Sequence, residues 1–75
     1  MDNILLLKKE IYDKELILRA TRDYSGIAKI SCDLSDEYWK CIFEATKYPL
    51  DKTQKEFENY LIALENKKGG LNDSL

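Results

Sequence analysis

Apolar and polar residues alternate along Lys29 to Thr46, KISCDLSDEYWKCIFEAT, on both sides of the acidic Asp36-Glu37 pair. Alternation is the period of a half-buried strand, so this stretch predicts two strands folded back on each other. With the turn centred on Asp36 and Glu37, the partners are Ala28 with Ala45, Ile30 with Phe43, Cys32 with Cys41, and Leu34 with Trp39, every pair apolar. The opposite face pairs Lys29 with Glu44 and Asp33 with Lys40, opposite in sign, and Ser31 with Ile42. A slip of one residue would exchange the buried and exposed sets, so a single register satisfies both faces. Asp-Glu lacks the glycine or asparagine of tight two-residue turns, which leaves a four-residue loop over Ser35 to Tyr38 as the other reading.

Upstream, Ile4 to Leu7 is an apolar run that ends in Lys8, Lys9 and Glu10 and reads as a first strand. Asp13 is placed to cap a helix that starts at Lys14, with Tyr12 stapled to Ile17. Leu16, Ile17, Ala20 and Tyr24 follow three-to-four spacing, while Lys14, Glu15, Arg19, Arg22 and Asp23 face water. Gly26 is expected to end this helix in the left-handed conformation. A second helix follows Pro49, opened by a capping box of Thr53 with Glu56 or of Asp51 with Gln54. Phe57, Tyr60, Leu61 and Leu64 form its apolar stripe, with Ile62 beside it. Lys67 and Lys68 suit the negative end of its dipole, and Gly69-Gly70 stops it.

These elements predict an α+β fold of order βαββα: two layers, a three-stranded sheet with both helices on one face. Residues 1–68 form a single small domain and 69–75 a frayed tail. The pattern carries no strand order. On the uncovered face, Ile42 joins either Leu5 and Leu7 or Ile4 and Leu6 in an apolar patch, which favours a partner or self-association.

Composition narrows the chemistry. A 75-residue domain buries only about 60% of its unfolded surface, so its core is small. The longest aliphatic run is far short of a spanning helix, and Asp2, Lys8, Lys9 and Glu10 interrupt any signal-like stretch, so a cytoplasmic location without membrane contact is expected. Twelve basic residues are scattered among fourteen acidic ones for a net charge of −2, which predicts no nucleic-acid partner. There is no histidine, the commonest general base and metal ligand.

Cys32 and Cys41 are not a CxxC pair and have no further ligands for zinc, so they read as small hydrophobes of the inner face. Asp33, Asp36, Glu37 and Glu44 fall on an exposed strand face or turn and are read as solvated rather than catalytic. Gly26, Gly69 and Gly70 are helix stops, not a phosphate loop. No catalytic residue, cofactor or metal is therefore expected. Tyr38, Tyr48 and Tyr60 would serve as amphipathic anchors for a partner, and would serve equally to cap the edges of a small core.

IYDKELILRATRDYSG, the alternating hairpin and EFENYLIAL, taken in order, resemble the HxsD-like family, small proteins of His-Xaa-Ser peptide systems. The resemblance is carried by Ile11-Tyr12 before the helix, Lys14-Glu15 at its start, Ala20 and Tyr24 along it, and Phe57, Asn59 and Leu61 in the closing helix. It implies a non-catalytic accessory protein beside a radical SAM maturase and its precursor peptide. An exposed strand edge suits that role, because it accepts a peptide as an added strand. The partner-binding candidates are Tyr38, Ile42, Tyr48 and Asn59. A general interaction module or homodimeric regulator is the alternative, and a thiol enzyme built on the two cysteines is a third class.

Overall fold

Around Asp36-Glu37 the chain folds into the register that its side chains dictate. Ile30 lies opposite Phe43, Ser31 opposite Ile42, Cys32 opposite Cys41, Asp33 opposite Lys40 and Leu34 opposite Trp39. The computed structural model describes residues 2–69. Its elements are β1 (Ile4–Lys8), α1 (Lys14–Asp23), β2 (Ala28–Leu34), β3 (Tyr38–Thr46) and α2 (Leu50–Gly69), the expected βαββα order. The sheet order is β1-β3-β2 with both neighbouring pairs antiparallel. β1 and β2 therefore run parallel with β3 between them, a split βαβ unit.

Both helices cover one face. Leu7 of β1, Ala28 of β2, and Cys41 and Phe43 of β3 meet Ile17 and Ala20 of α1 and Phe57, Leu61 and Leu64 of α2 in one core. The ring of Phe57 meets the rings of Tyr24 and Phe43 edge-on, with centroids 5.3 and 5.5 Å away. Two polar contacts tie the helices together: the Tyr60 hydroxyl donates to Asp23 at 2.6 Å, and the Asp13 amide donates to the Glu65 carboxylate at 2.7 Å.

Several local expectations are corrected. A β-bulge between Lys29 and Ile30 sets Lys29 opposite Ala45 and Ala28 opposite Thr46, so Glu44 is the extra residue. Lys29 still reaches Glu44 at 3.8 Å, because the bulge displaces the backbone less than a lysine spans. Leu34 holds its inner-face register but is 61% exposed, beyond the cover of the helices. At the turn, the Ser35 hydroxyl accepts from the Tyr38 amide and donates to the Tyr38 carbonyl, so side-chain hydrogen bonds close the loop.

Helix ends also differ. Asp13 takes the N-cap position, yet the capping hydrogen bond expected of its carboxylate is not made. Neither capping box forms in α2, which starts at Leu50 with the Pro49 carbonyl accepting from the Thr53 amide at 3.0 Å. Thr53 is buried inside that first turn, and its hydroxyl donates to the same carbonyl at 2.9 Å. The glycine pair at 69–70 and the tail over Leu71 to Leu75 lie outside the described residues beyond Gly69.

Gly26 does not adopt the left-handed conformation, and a Cβ built there meets nothing within 4 Å. Instead α1 ends where the Ser25 amide turns to the Arg22 carbonyl at 3.1 Å, and the Tyr24 carbonyl accepts from both Ile27 and Ala28 at 2.8 Å. Gly26→Ala should therefore stabilise the fold by about 0.4–1 kcal/mol, through the lost freedom of the unfolded chain alone. A urea titration that shows destabilisation would reveal a positive φ at this turn.

Tyr60 holds its proton above the ordinary tyrosine range, chiefly through its hydrogen bond to Asp23. Tyr12 and Tyr24 do so through burial, aided by Glu58 and Glu65 beside Tyr12 and by Glu56 beside Tyr24. The folded chain then binds more protons than the unfolded chain once pH passes the unfolded tyrosine value of about 10. The stability these contacts give is full below that pH and is lost as pH rises through the higher folded values. Urea midpoints should fall across this alkaline window, and a midpoint that rises there would contradict the assignment.

Candidate functional site

The face of the sheet away from the helices is open, and pairing decides which side chains it carries. Ile4, Ile42 and Ser31 form one cross-strand row, Leu6, Lys40 and Asp33 the next, and Lys8 with Tyr38 the third. Of the two sets proposed for the apolar patch, the structure selects Ile4 and Leu6, while Leu5 and Leu7 face the helices. Leu6 is 54% exposed, and Ile4 and Ile42 are half-buried against one another. Lys29 and Glu44 close the far corner of this face as an ion pair, and the Ser31 hydroxyl donates to Glu44. Asp33 and Lys40, expected to pair in charge, stand opposite without reaching ion-pair distance.

β1 also leaves an edge unpaired among the described residues. The Asn3 carbonyl accepts from the Phe43 amide at 2.8 Å, and the Lys9 amide donates to the Glu37 carbonyl at 3.1 Å. Between these anchors, antiparallel alternation aims the backbone groups of Leu5 and Leu7 at β3 and those of Ile4, Leu6 and Lys8 outward. The Lys8 carbonyl is taken by the amides of Ile11 and Tyr12, both at 3.0 Å. What remains is a short ladder: the amides of Ile4, Leu6 and Lys8 and the carbonyls of Ile4 and Leu6. At its upper end the Lys9 ammonium donates to the carbonyls of Ser35 and Asp36, which fixes the hairpin tip against the turn after β1.

The candidates read from sequence are divided between locations. Tyr38 and Ile42 share the open face on β3, both half-buried. Tyr48 lies outside the sheet, 56% exposed in the link to α2, beside a shallow depression lined by Pro49, Lys52, Thr53 and Glu56. Asn59 is exposed on α2, in the other layer. Sequence reasoning passed over Lys8 and Lys40, which flank Leu6 on the open face. The signal for them was available only as parity: both share the strand phase of Ile42 and Leu6 once the order β1-β3-β2 is known.

Cys32 and Cys41 face each other across the inner face with sulfurs 3.8 Å apart, Cys41 buried and Cys32 half-buried. They occupy a non-hydrogen-bonded pair, since the backbone groups of Cys41 point to β1. Their shared hydrogen bond, reinforced by burial, pushes the Cys41 thiol up, and the same bond holds Cys32 below the usual thiol range. Cys41 sits within the core cluster and Cys32 packs against it, as the alternation predicts.

Among the described residues no group of three or more histidine, cysteine or carboxylate side chains is placed to hold a metal ion, and no helix is long and apolar enough to cross a membrane. Comparison of the chain with protein-family models, with curated proteins and with solved structures finds no match.

Proposed function

We propose that this chain is a non-catalytic accessory protein that binds a peptide or protein strand, working beside a radical SAM maturase on a ribosomally made peptide. The observation that carries the binding role is the unpaired edge of β1, bordered on the open face by exposed Leu6 and half-buried Ile4 and Ile42. An added strand would satisfy the outward amides and carbonyls and cover those side chains in one step. Binding is favoured over catalysis because the polar groups beside this edge, Lys8, Lys9, Glu10, Asp36 and Glu37 around an open depression and Lys40 on the sheet, are not enclosed in a deep cleft. The maturation setting rests on the resemblance of IYDKELILRATRDYSG and EFENYLIAL to HxsD-like proteins.

A homodimeric regulator is the second reading, favoured by the same edge, since an unprotected strand also pairs with its own copy. Affinity capture from the native host separates the two when wild type is compared with Leu6→Pro. Recovery of a maturase or its precursor peptide, lost in the variant, supports the accessory role. Capture that the variant leaves unchanged removes the edge from the account. A tight dimer by light scattering, with no maturase gene adjoining, selects the regulator.

A further inference from the structure

The sheet has two edges, and they are not equivalent. The outward residues of β2 are Ile30, Cys32 and Leu34, whose side chains lie on the helix-covered face, and a bulge disrupts its pairing at Lys29/Ile30. Bulges and alternating charges such as Lys29 and Asp33 are the usual protections of an edge. β1 has none of these over Ile4 to Leu7. It is apolar on both faces, as interior strands are, yet it stands at the margin.

Charge identifies what the β1 edge takes. Lys8 and Lys40 flank Leu6; Lys8 shares a depression with Glu10, Asp36 and Glu37, and Lys40 stands opposite Asp33, yet neither ammonium has a carboxylate within ion-pair distance among the described residues, whereas Lys29 pairs with Glu44. A strand laid against β1 would set one face beside Ile4, Leu6 and the two ammonium groups. Its other face would lie over Leu5 and the polar flank of α2, where Asp51, Lys52, Lys55 and Glu58 border a shallow depression of balanced charge. We propose that the β1 edge selects an extended amphipathic peptide with apolar side chains on one face and a carboxylate on that face beside Lys8 and Lys40.

A second copy fits this chemistry less well. Two-fold pairing through Leu6 places Lys8 directly opposite Ile4 of the partner copy rather than opposite a carboxylate. The proposal rests on the strand-addition reading above and adds the identity of the strand.

The test is selection from a displayed library of random nonapeptides on the full chain, followed by titration of one selected synthetic peptide into 15N-labelled protein. Selected peptides should alternate apolar residues and be enriched in Asp or Glu. The double variant K8E/K40E, checked for folding by circular dichroism, should weaken the peptide about tenfold, the sum of two exposed ion pairs, and shift selection toward Lys and Arg. K8R/K40R should retain binding. Acidic enrichment that is absent, or unchanged in K8E/K40E, overturns the proposal. If non-acidic peptides still protect the Leu6 amide, strand addition stands and only the charge preference falls. If no peptide protects the β1 amides, both fall. Protection already present in the free chain and lost on deleting residues 70–75 would show that the chain's own end fills the edge, and would overturn both.

Discussion

Phe57→Ala is expected to remove a large share of the fold's stability and leave a marginal domain. Phe57 is the largest fully buried side chain among the described residues, with its ring set edge-on to Tyr24 at the end of α1 and to Phe43 from β3. It is where both helices and the central strand meet, so no single neighbour can move in to fill the vacancy. Removing a buried phenylalanine ring costs about 3–5 kcal/mol. At roughly 0.05–0.15 kcal/mol per residue, a domain this small holds about 4–11 kcal/mol in all. Urea denaturation followed by far-ultraviolet circular dichroism should show the midpoint displaced to much lower urea, by the equivalent of about 3–5 kcal/mol. A loss under about 1 kcal/mol would mean that the helical layer is not seated on the sheet through this ring.

The second large effect is a contrast between adjacent positions on β1. Leu5→Pro should break the sheet, while Leu6→Pro should leave it folded and abolish strand addition. The Leu5 amide points to β3, so proline there removes a ladder donor and leaves an acceptor on the fully buried Cys41 unpaired, a penalty of about 1–3 kcal/mol before any steric clash of the ring. The Leu6 amide points outward, where proline is tolerated on an edge strand. Thermal unfolding and peptide titration of the two variants read this directly. Equal destabilisation by both would mean that the outward-facing phase of β1 is assigned wrongly.

Much of this architecture is legible in the chain because both faces of the β2–β3 hairpin specify the same pairing. Ile30 with Phe43 and Cys32 with Cys41 bury together only where Asp33 meets Lys40 on the other side, and the structure adopts that register. The stripe of Phe57, Leu61 and Leu64 likewise has one helical solution. The bulge at Lys29/Ile30 was not legible, because Ala28 lies opposite Ala45 or Thr46 at little difference in burial. Strand order was hidden for a different reason: the run Ile4 to Leu7 is apolar on both phases, which suits an interior place as well as an edge. Thr53 misled for a third, since its hydroxyl finds the Pro49 carbonyl inside the helix, and a threonine so satisfied looks in sequence like a cap.

The open face was foreseen as an apolar patch, but its charged flank was not. Lys8 and Lys40 become neighbours of Leu6 only through the β1-β3 pairing, a contact between distant parts of the chain that no local pattern encodes. Tyr38 and Ile42 share a face that is legible in the sequence, because they lie within the hairpin, where alternation assigns faces. Asn59, chosen for its place among apolar residues of α2, lies in the other layer and shares no surface with them.

Amide hydrogen exchange along β1 in the free, monomeric chain tests the open edge most directly. The amides of Leu5 and Leu7 should exchange slowly, with the stability of the sheet behind them, and those of Leu6 and Lys8 should exchange nearly as fast as unstructured amides. Uniform slow exchange across Leu5 to Lys8 in a monomer would mean that the edge is already occupied, and would contradict the account.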